Sequence, residues 1–274
     1  MRLQLGLSSY TYTWAVGVPG SQASRTFSAY DLVDKAGAYG LRLVQIADNL
    51  PLEGMTDEQL FDLYRYSGKQ DVALEMGSRG LTLEHTFKCL ETAQKLHSPI
   101  LRMVIDKPGY EPDLIQIISI IKELLPELRS RKIRLAIENH DRLKAREFEE
   151  IIRSVGNEWV GICLDSVNSM GAGEGFGTVS EILIPYTINL HIKDFIIFRV
   201  SHKMGFVIEG RPAGQGILNI SRLVSTLSES GQCQSAILEL WTPPEPTIED
   251  TIRKEEKWAS ESIDYLKHIF KWTN

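Results

Sequence analysis

Four side chains able to bind a hard cation close four separate apolar runs of this chain: Glu138 in RLAIENHD, Asp165 in VGICLDSVNS, His191 in INLHIKDF and Glu239 in AILELW. Three carboxylates and one imidazole make an oxygen-rich donor set suited to Mn2+, Mg2+ or Co2+, with Zn2+ also in its range. A structural zinc site is normally closed by four Cys or His ligands, whereas this set leaves positions for water or substrate oxygens. An ion held this way acts as a Lewis acid and orienting template toward adjacent oxygens, which makes an enediolate accessible beside a carbonyl.

Such chemistry needs the four groups on one rim. Each follows a short β-like run, and strand alternation turns Glu138, Ala136 and Arg134 to one face while Leu135 and Ile137 take the other. The same parity sets Ile162 and Leu164 opposite Asp165, Leu190 and Ile192 opposite His191 and Lys193, and Leu238 and Leu240 opposite Glu239. Eight apolar runs recur near residues 3–8, 42–47, 72–76, 100–105, 133–138, 160–165, 187–193 and 236–240, with amphipathic stretches such as LTLEHTFKCLETAQKL and LIQIISIIKELLPELRS between them. Strand followed by helix, eight times, predicts an α/β fold with a single (β/α)8 TIM barrel over residues 1–274. The first junction, SSYTYTWAVGVPG, lacks the GxGxxG turn that a doubly wound dinucleotide fold would need. Glu138, Asp165 and His191 follow one another at about one βα repeat, but the gap from His191 to Glu239 is nearly twice as long. The surplus falls at about 195–218, FIIFRVSHKMGFVIEGRPAGQGIL, which reads as a long loop at the catalytic face. The segment from Ile248 to Trp272 reads as the last barrel helix.

Composition narrows the classes. Thirty Lys and Arg against 36 Asp and Glu give a net charge of −6, which argues against a nucleic-acid or anionic-membrane surface. No apolar run approaches the roughly 18 residues of a membrane span, so a soluble cytoplasmic protein is expected. The three cysteines, Cys89, Cys163 and Cys233, show neither paired zinc spacing nor a disulfide framework.

IENHD, CLDSVNS, NLHIKD and LELW together resemble the metal-binding segments of the xylose isomerase-like TIM barrel superfamily, across essentially the whole chain. That superfamily includes sugar 3-epimerases, hydroxypyruvate isomerase, inosose dehydratase and endonuclease IV. The resemblance implies a divalent metal on Glu138, Asp165, His191 and Glu239, with Glu138 and Glu239 also acting as the acid/base pair on opposite faces of one substrate carbon. Two positions depart from the pattern: Asn168 stands where D-x-x-H would place a histidine, and Gln45 stands where many relatives end the second strand with Glu. Both changes remove an ionisable group from the expected pocket.

Candidates to contact substrate are His140, Asn168, Lys193, Arg199, His202 and Arg211, with Arg102 in the fourth strand as a buried or surface ion pair. A cationic set aimed at one mouth suits an anionic sugar derivative. Backbone amides of GRPAGQG could bind an anion. The remaining histidines, His85, His97 and His268, are expected on helix surfaces.

The leading expectation is a metal-dependent isomerase or epimerase acting on a small keto-sugar or sugar acid through a metal-bound enediolate. The alternative is a lyase that reaches the same enediolate by decarboxylating a 3-oxo sugar acid; the chain also resembles superfamily members such as 3-oxo-isoapionate decarboxylases. A DNA-repair role conflicts with the acidic charge and the scarcity of inward histidines, and a non-catalytic sugar-binding barrel is the remaining class. The partner expected is a small-molecule sugar or sugar acid, not nucleic acid or membrane, and related barrels leave a homo-oligomer open.

Overall fold

The computed structural model describes residues 3–272 apart from 22, 24 and 157. Eight parallel strands close a barrel: β1 (Gln4–Ser8), β2 (Leu43–Ile46), β3 (Ala73–Arg79), β4 (Ile100–Val104), β5 (Arg134–Glu138), β6 (Val160–Asp165), β7 (Thr187–Ile192) and, as the eighth stave, β10 (Ser235–Leu238), which pairs with both β7 and β1. The outer layer consists of α2 (Ala29–Ala38), α3 (Asp57–Lys69), α4 (Leu83–Lys95), α5 (Leu114–Arg131), α6 (Ala145–Val155), α7 (Phe176–Leu183), α8 (Ile220–Ser230) and α9 (Ile248–Trp272), with a short α1 (Thr13–Val16) over the mouth. The expected TIM barrel is therefore present, and its staves match the eight apolar runs to within a few residues. No helix among the described residues is long and apolar enough to cross a membrane.

Local chemistry explains the helix starts. Ser28, Thr56, Thr82 and Asp113 each accept a backbone N–H of the first turn through their side chains, capping α2, α3, α4 and α5. The outward residues of the staves, including Leu135, Ile137, Ile162, Leu164, Leu190 and Ile192, pack into the main core beneath those helices. The inward residues form a separate small cluster of Ile100, Ala136, Cys163 and Ile188. A register irregularity between β6 and β7 leaves Ile188 without a partner and pairs Ile162 with Thr187 but Cys163 with Asn189. Gly161 makes room for it, because a Cβ there would lie 2.5 Å from Ile188 Cγ2. The shift brings Asp165 level with His191 across the β6–β7 ladder.

The 195–218 segment differs from the long loop expected. It contains an antiparallel hairpin, β8 (Asp194–Arg199) paired with β9 (Phe206–Arg211), that leaves the barrel after β7 and returns before α8. FIIFR and FVIEGR are short β-rich runs around a turn containing Gly205, and that hairpin signal lies in the sequence itself. β9 passes so close to the end of β10 that a Cβ on Gly210 would overlap the Trp241 backbone. The return is pinned by Asp194, whose carboxylate accepts N–H bonds from Gly214 and Gly216 at 2.9 Å and from Leu218 at 3.2 Å. The GRPAGQG amides do bind an anion, and it is the chain's own Asp194.

Candidate functional site

Strand ends bring the four cation-binding side chains together as the alternation predicts. Glu138 ends β5, Asp165 ends β6, His191 lies one residue before the end of β7, and Glu239 follows β10 directly. All four are buried. His191 Nδ1 lies 3.3 Å from Glu239 Oε1, 3.4 Å from Glu138 Oε2 and 3.8 Å from Asp165 Oδ2. Metal–ligand bonds of about 2.1 Å put neighbouring ligand atoms about 3.0–3.4 Å apart in a tetrahedral or octahedral shell. Asp165, His191 and Glu239 thus form a buried group able to hold a metal ion, and Glu138 offers an oxygen beside it.

Two atoms of the cluster make the fit specific. His191 Nδ1 and Glu138 Oε2 are buried and have no hydrogen-bond partner among the described residues, and they face each other. Arg102 Nε approaches Glu138 Oε2 at 2.5 Å, but without the alignment of a hydrogen bond. The other imidazole nitrogen is occupied: His191 Nε2 lies 2.7 Å from Gln45 Oε1. Gln45 donates its amide to Glu75 and Asn189, so its Oε1 is the acceptor and Nε2 carries the imidazole proton. Burial pushes His191 down to about 4, leaving a neutral ring with the Nδ1 lone pair aimed at the carboxylates.

Each flanking carboxylate meets a buried cation. Arg102 reaches Glu138 with Nε and Asp48 with Nη1, the latter at 2.9 Å. Lys193 Nζ lies 2.8 Å from Asp165 Oδ2 and 2.9 Å from Glu239 Oε2. Asn168 links the two halves: its Nδ2 donates to Glu138 Oε1 at 2.8 Å, and its Oδ1 accepts from Lys193 Nζ at 3.3 Å. Ser8 donates to Glu239 Oε1 at 2.9 Å. The carboxylates do not ionise independently. Burial raises Glu138 to about 8 against the pull of Arg102. Burial would also raise Glu239, but the Lys193 and Arg102 cations beside it hold it below the usual carboxylate range.

Above the cluster opens a cavity of about 520 Å3. Glu138, His140, Asn168, Lys193 and Glu239 line it, as do Arg79 and Arg102; Trp14, Trp241 and Ile208 supply apolar wall. Arg199, His202 and Arg211 are not part of that lining, which corrects their expected place at the substrate mouth. The Arg199 guanidinium lies 4.3 Å from the Phe206 ring and donates to the Lys203 carbonyl at the hairpin tip. His202 is exposed at the same tip, where its Nδ1 accepts from Met204 N. Arg211 is paired with Glu209, and it is Glu209, not Arg211, that reaches the cavity. Sequence reasoning missed Arg79 and Asp48, which are joined at 2.8 Å. Arg79 stands just past the run taken for the third strand, and that strand extends through it.

The sequence matches the model of the xylose isomerase-like TIM barrel family over residues 75–269. It is 27% identical, over 264 residues covering 96% of this chain and 95% of the relative, to 3-oxo-isoapionate decarboxylase of Pectobacterium atrosepticum. In fold it is similar to D-psicose 3-epimerase with D-tagatose from Clostridium cellulolyticum H10, with a TM-score of 0.72, 14% identity and coverage of 97% of this chain and 98% of that one. It is similar also to a xylose isomerase-like TIM barrel protein from Mycobacterium smegmatis in complex with magnesium, with a TM-score of 0.69, 14% identity and coverage of 96% and 97%. With the barrel, the strand-end donors and the family match in agreement, the chain belongs to the xylose isomerase-like TIM barrel family.

Proposed function

We propose that the chain is a divalent-metal-dependent decarboxylase of a 3-oxo sugar acid, with Glu138, Asp165, His191 and Glu239 as the metal ligands. The observation that carries this reading is the pairing of Arg102 with Glu138 and of Lys193 with Glu239 inside the cavity wall. A carboxylate acting as base on carbon works best free of a cation, and both carboxylates expected as an acid/base pair are tied. With a divalent ion bound, Glu138 would lose its proton, and three ionised carboxylates, two buried cations and the ion would sum to one positive charge, matched to a monoanionic substrate. The relative that is 27% identical, a 3-oxo-isoapionate decarboxylase, supports the same reaction class.

In such a substrate the C1–C2 bond breaks, its electron pair passes into the C2–C3 bond and onto the 3-oxo oxygen, CO2 leaves, and C2 takes a proton. When bound, the divalent ion supplies Lewis-acid stabilisation of the negative charge on that oxygen. Arg79 and Arg102 orient the substrate carboxylate, while Trp14, Trp241 and Ile208 exclude water from the reacting carbon. Lys193 Nζ gives its proton to C2 and regains one from solvent at the mouth.

The second reading, an isomerase or epimerase on a small keto-sugar, is favoured by the placement of Glu138 and Glu239 on either side of His191, both lining the cavity. Incubating metal-loaded protein with 3-oxo sugar acids and keto-sugars in deuterated water separates the two. The decarboxylase gives CO2 and a product lighter by that mass with deuterium fixed on carbon. Conserved mass with deuterium exchange and no CO2 would establish the isomerase instead.

A further inference from the structure

On the helix-facing side of the third stave, outside the cavity lining, four side chains from three segments meet. Ser78 comes from β3, His85 and Cys89 lie one turn apart on the same face of α4, and Glu53 comes from the loop after β2. His85 Nε2 lies 3.5 Å from Cys89 Sγ and 3.6 Å from Glu53 Oε1, and Sγ lies 3.9 Å from Oε1. Ser78 Oγ fills the remaining side, 2.9 Å from His85 Nε2 and 3.1 Å from Glu53 Oε1. This histidine is not the helix-surface group expected from sequence: its ring turns inward, with the side chain only 20% exposed.

We propose that Glu53, His85 and Cys89 form a second divalent-cation site, of zinc type, with Ser78 or water completing the shell. Zinc bonds of about 2.0–2.1 Å to nitrogen or oxygen and about 2.3 Å to sulfur give tetrahedral edges of roughly 3.4–3.6 Å. The three spacings need only a few tenths of an ångström of closure to meet them. A thiolate with an imidazole favours Zn2+ over the hard ions suited to the carboxylate-rich cluster at the mouth. Cys89 is fully buried and Glu53 is 45% exposed, so the site opens to solvent on the Glu53 side. Binding replaces the Cys89 thiol proton, which passes to solvent.

The site would clamp the 47–56 loop to α4. That loop carries Asp48, which pairs with Arg79 and Arg102 in the cavity, and Arg102 also donates to the Ser78 carbonyl at 3.3 Å. The proposal is independent of the reaction assigned to the mouth, since it concerns different residues and a different ligand type.

Cobalt titration of metal-free protein tests it, because cobalt bound to a thiolate shows a charge-transfer absorption in the near ultraviolet. The band is expected in the native sequence, retained in Cys163→Ser, lost in Cys89→Ser, and weakened by at least the roughly tenfold in affinity that changes around a ligand cost in His85→Gln and Glu53→Gln. Cys163→Ser is the control for the buried Cys163 beside Glu138 and His191. Absence of the band in the native protein, or its survival in Cys89→Ser, overturns the proposal. If circular dichroism shows that Cys89→Ser does not fold, unchanged affinity in both His85→Gln and Glu53→Gln overturns it instead.

Discussion

At the scale of single residues, the candidate site depends as much on neutral side chains as on charged ones. Gln45 fixes the tautomer of His191 by accepting from Nε2, so Gln45→Leu is expected to lower divalent-metal affinity by roughly 10–100-fold, read by calorimetric titration. Glu138→Gln and Glu239→Gln should each abolish turnover while leaving weak metal binding. Below the ligands, Glu75 accepts from Gln45 and Asn189, and burial raises it from 4.5 to about 7. Its native value lies above its unfolded one, so its stabilising contribution is complete below about pH 4.5 and is lost as pH rises through 7. The change is about 3 kcal/mol, and Glu75→Gln should flatten the stability profile over that window, measured by urea unfolding at several pH values. The four strand-end donors were legible because period-2 alternation fixes which side chains face inward. That Arg102 and Lys193 would form ion pairs was legible, but not which carboxylates they would meet, since long flexible side chains reach partners that alternation does not specify.

At the scale of elements, the hairpin of β8 and β9 is the feature that sequence spacing located without identifying. Eight staves were already accounted for, and β8 and β9 expose Ile197, Phe198, Phe206 and Ile208, so neither carries the buried face that marks a barrel strand. Its base depends on Asp194, one carboxylate accepting from Gly214, Gly216 and Leu218. Asp194→Ala leaves those amides without a partner, at about 1–3 kcal/mol for each group that water cannot reach. Denaturant unfolding should show a loss of at least about 2 kcal/mol, and hydrogen exchange should show faster exchange across residues 194–218. Ile208 and Glu209 belong to the cavity wall, so the same variant should raise KM more than it changes metal affinity. Arg199 and His202 were misplaced because a hairpin carries its tip away from the mouth, whereas a loop of equal length could fold across it.

At the scale of the molecule, a barrel with buried carboxylates and cations at its mouth is stabilised by whatever ion completes the cluster. Metal at about 100 times its Kd adds about 2.7 kcal/mol, which for a domain of this size raises Tm by roughly 5–10 °C. Chelation should remove that increment and turnover together. Closure of the barrel was legible in the repeat of strand and helix, but the cation pairs on which the proposed acidic substrate rests join neighbouring staves through side chains far apart in sequence, and become visible only when the strands are assembled. The most direct measurement is anomalous diffraction from crystals grown with Mn2+. A peak within bonding distance of Glu138, Asp165, His191 Nδ1 and Glu239 is the predicted result. A fully loaded protein with no peak between those four residues would contradict the account.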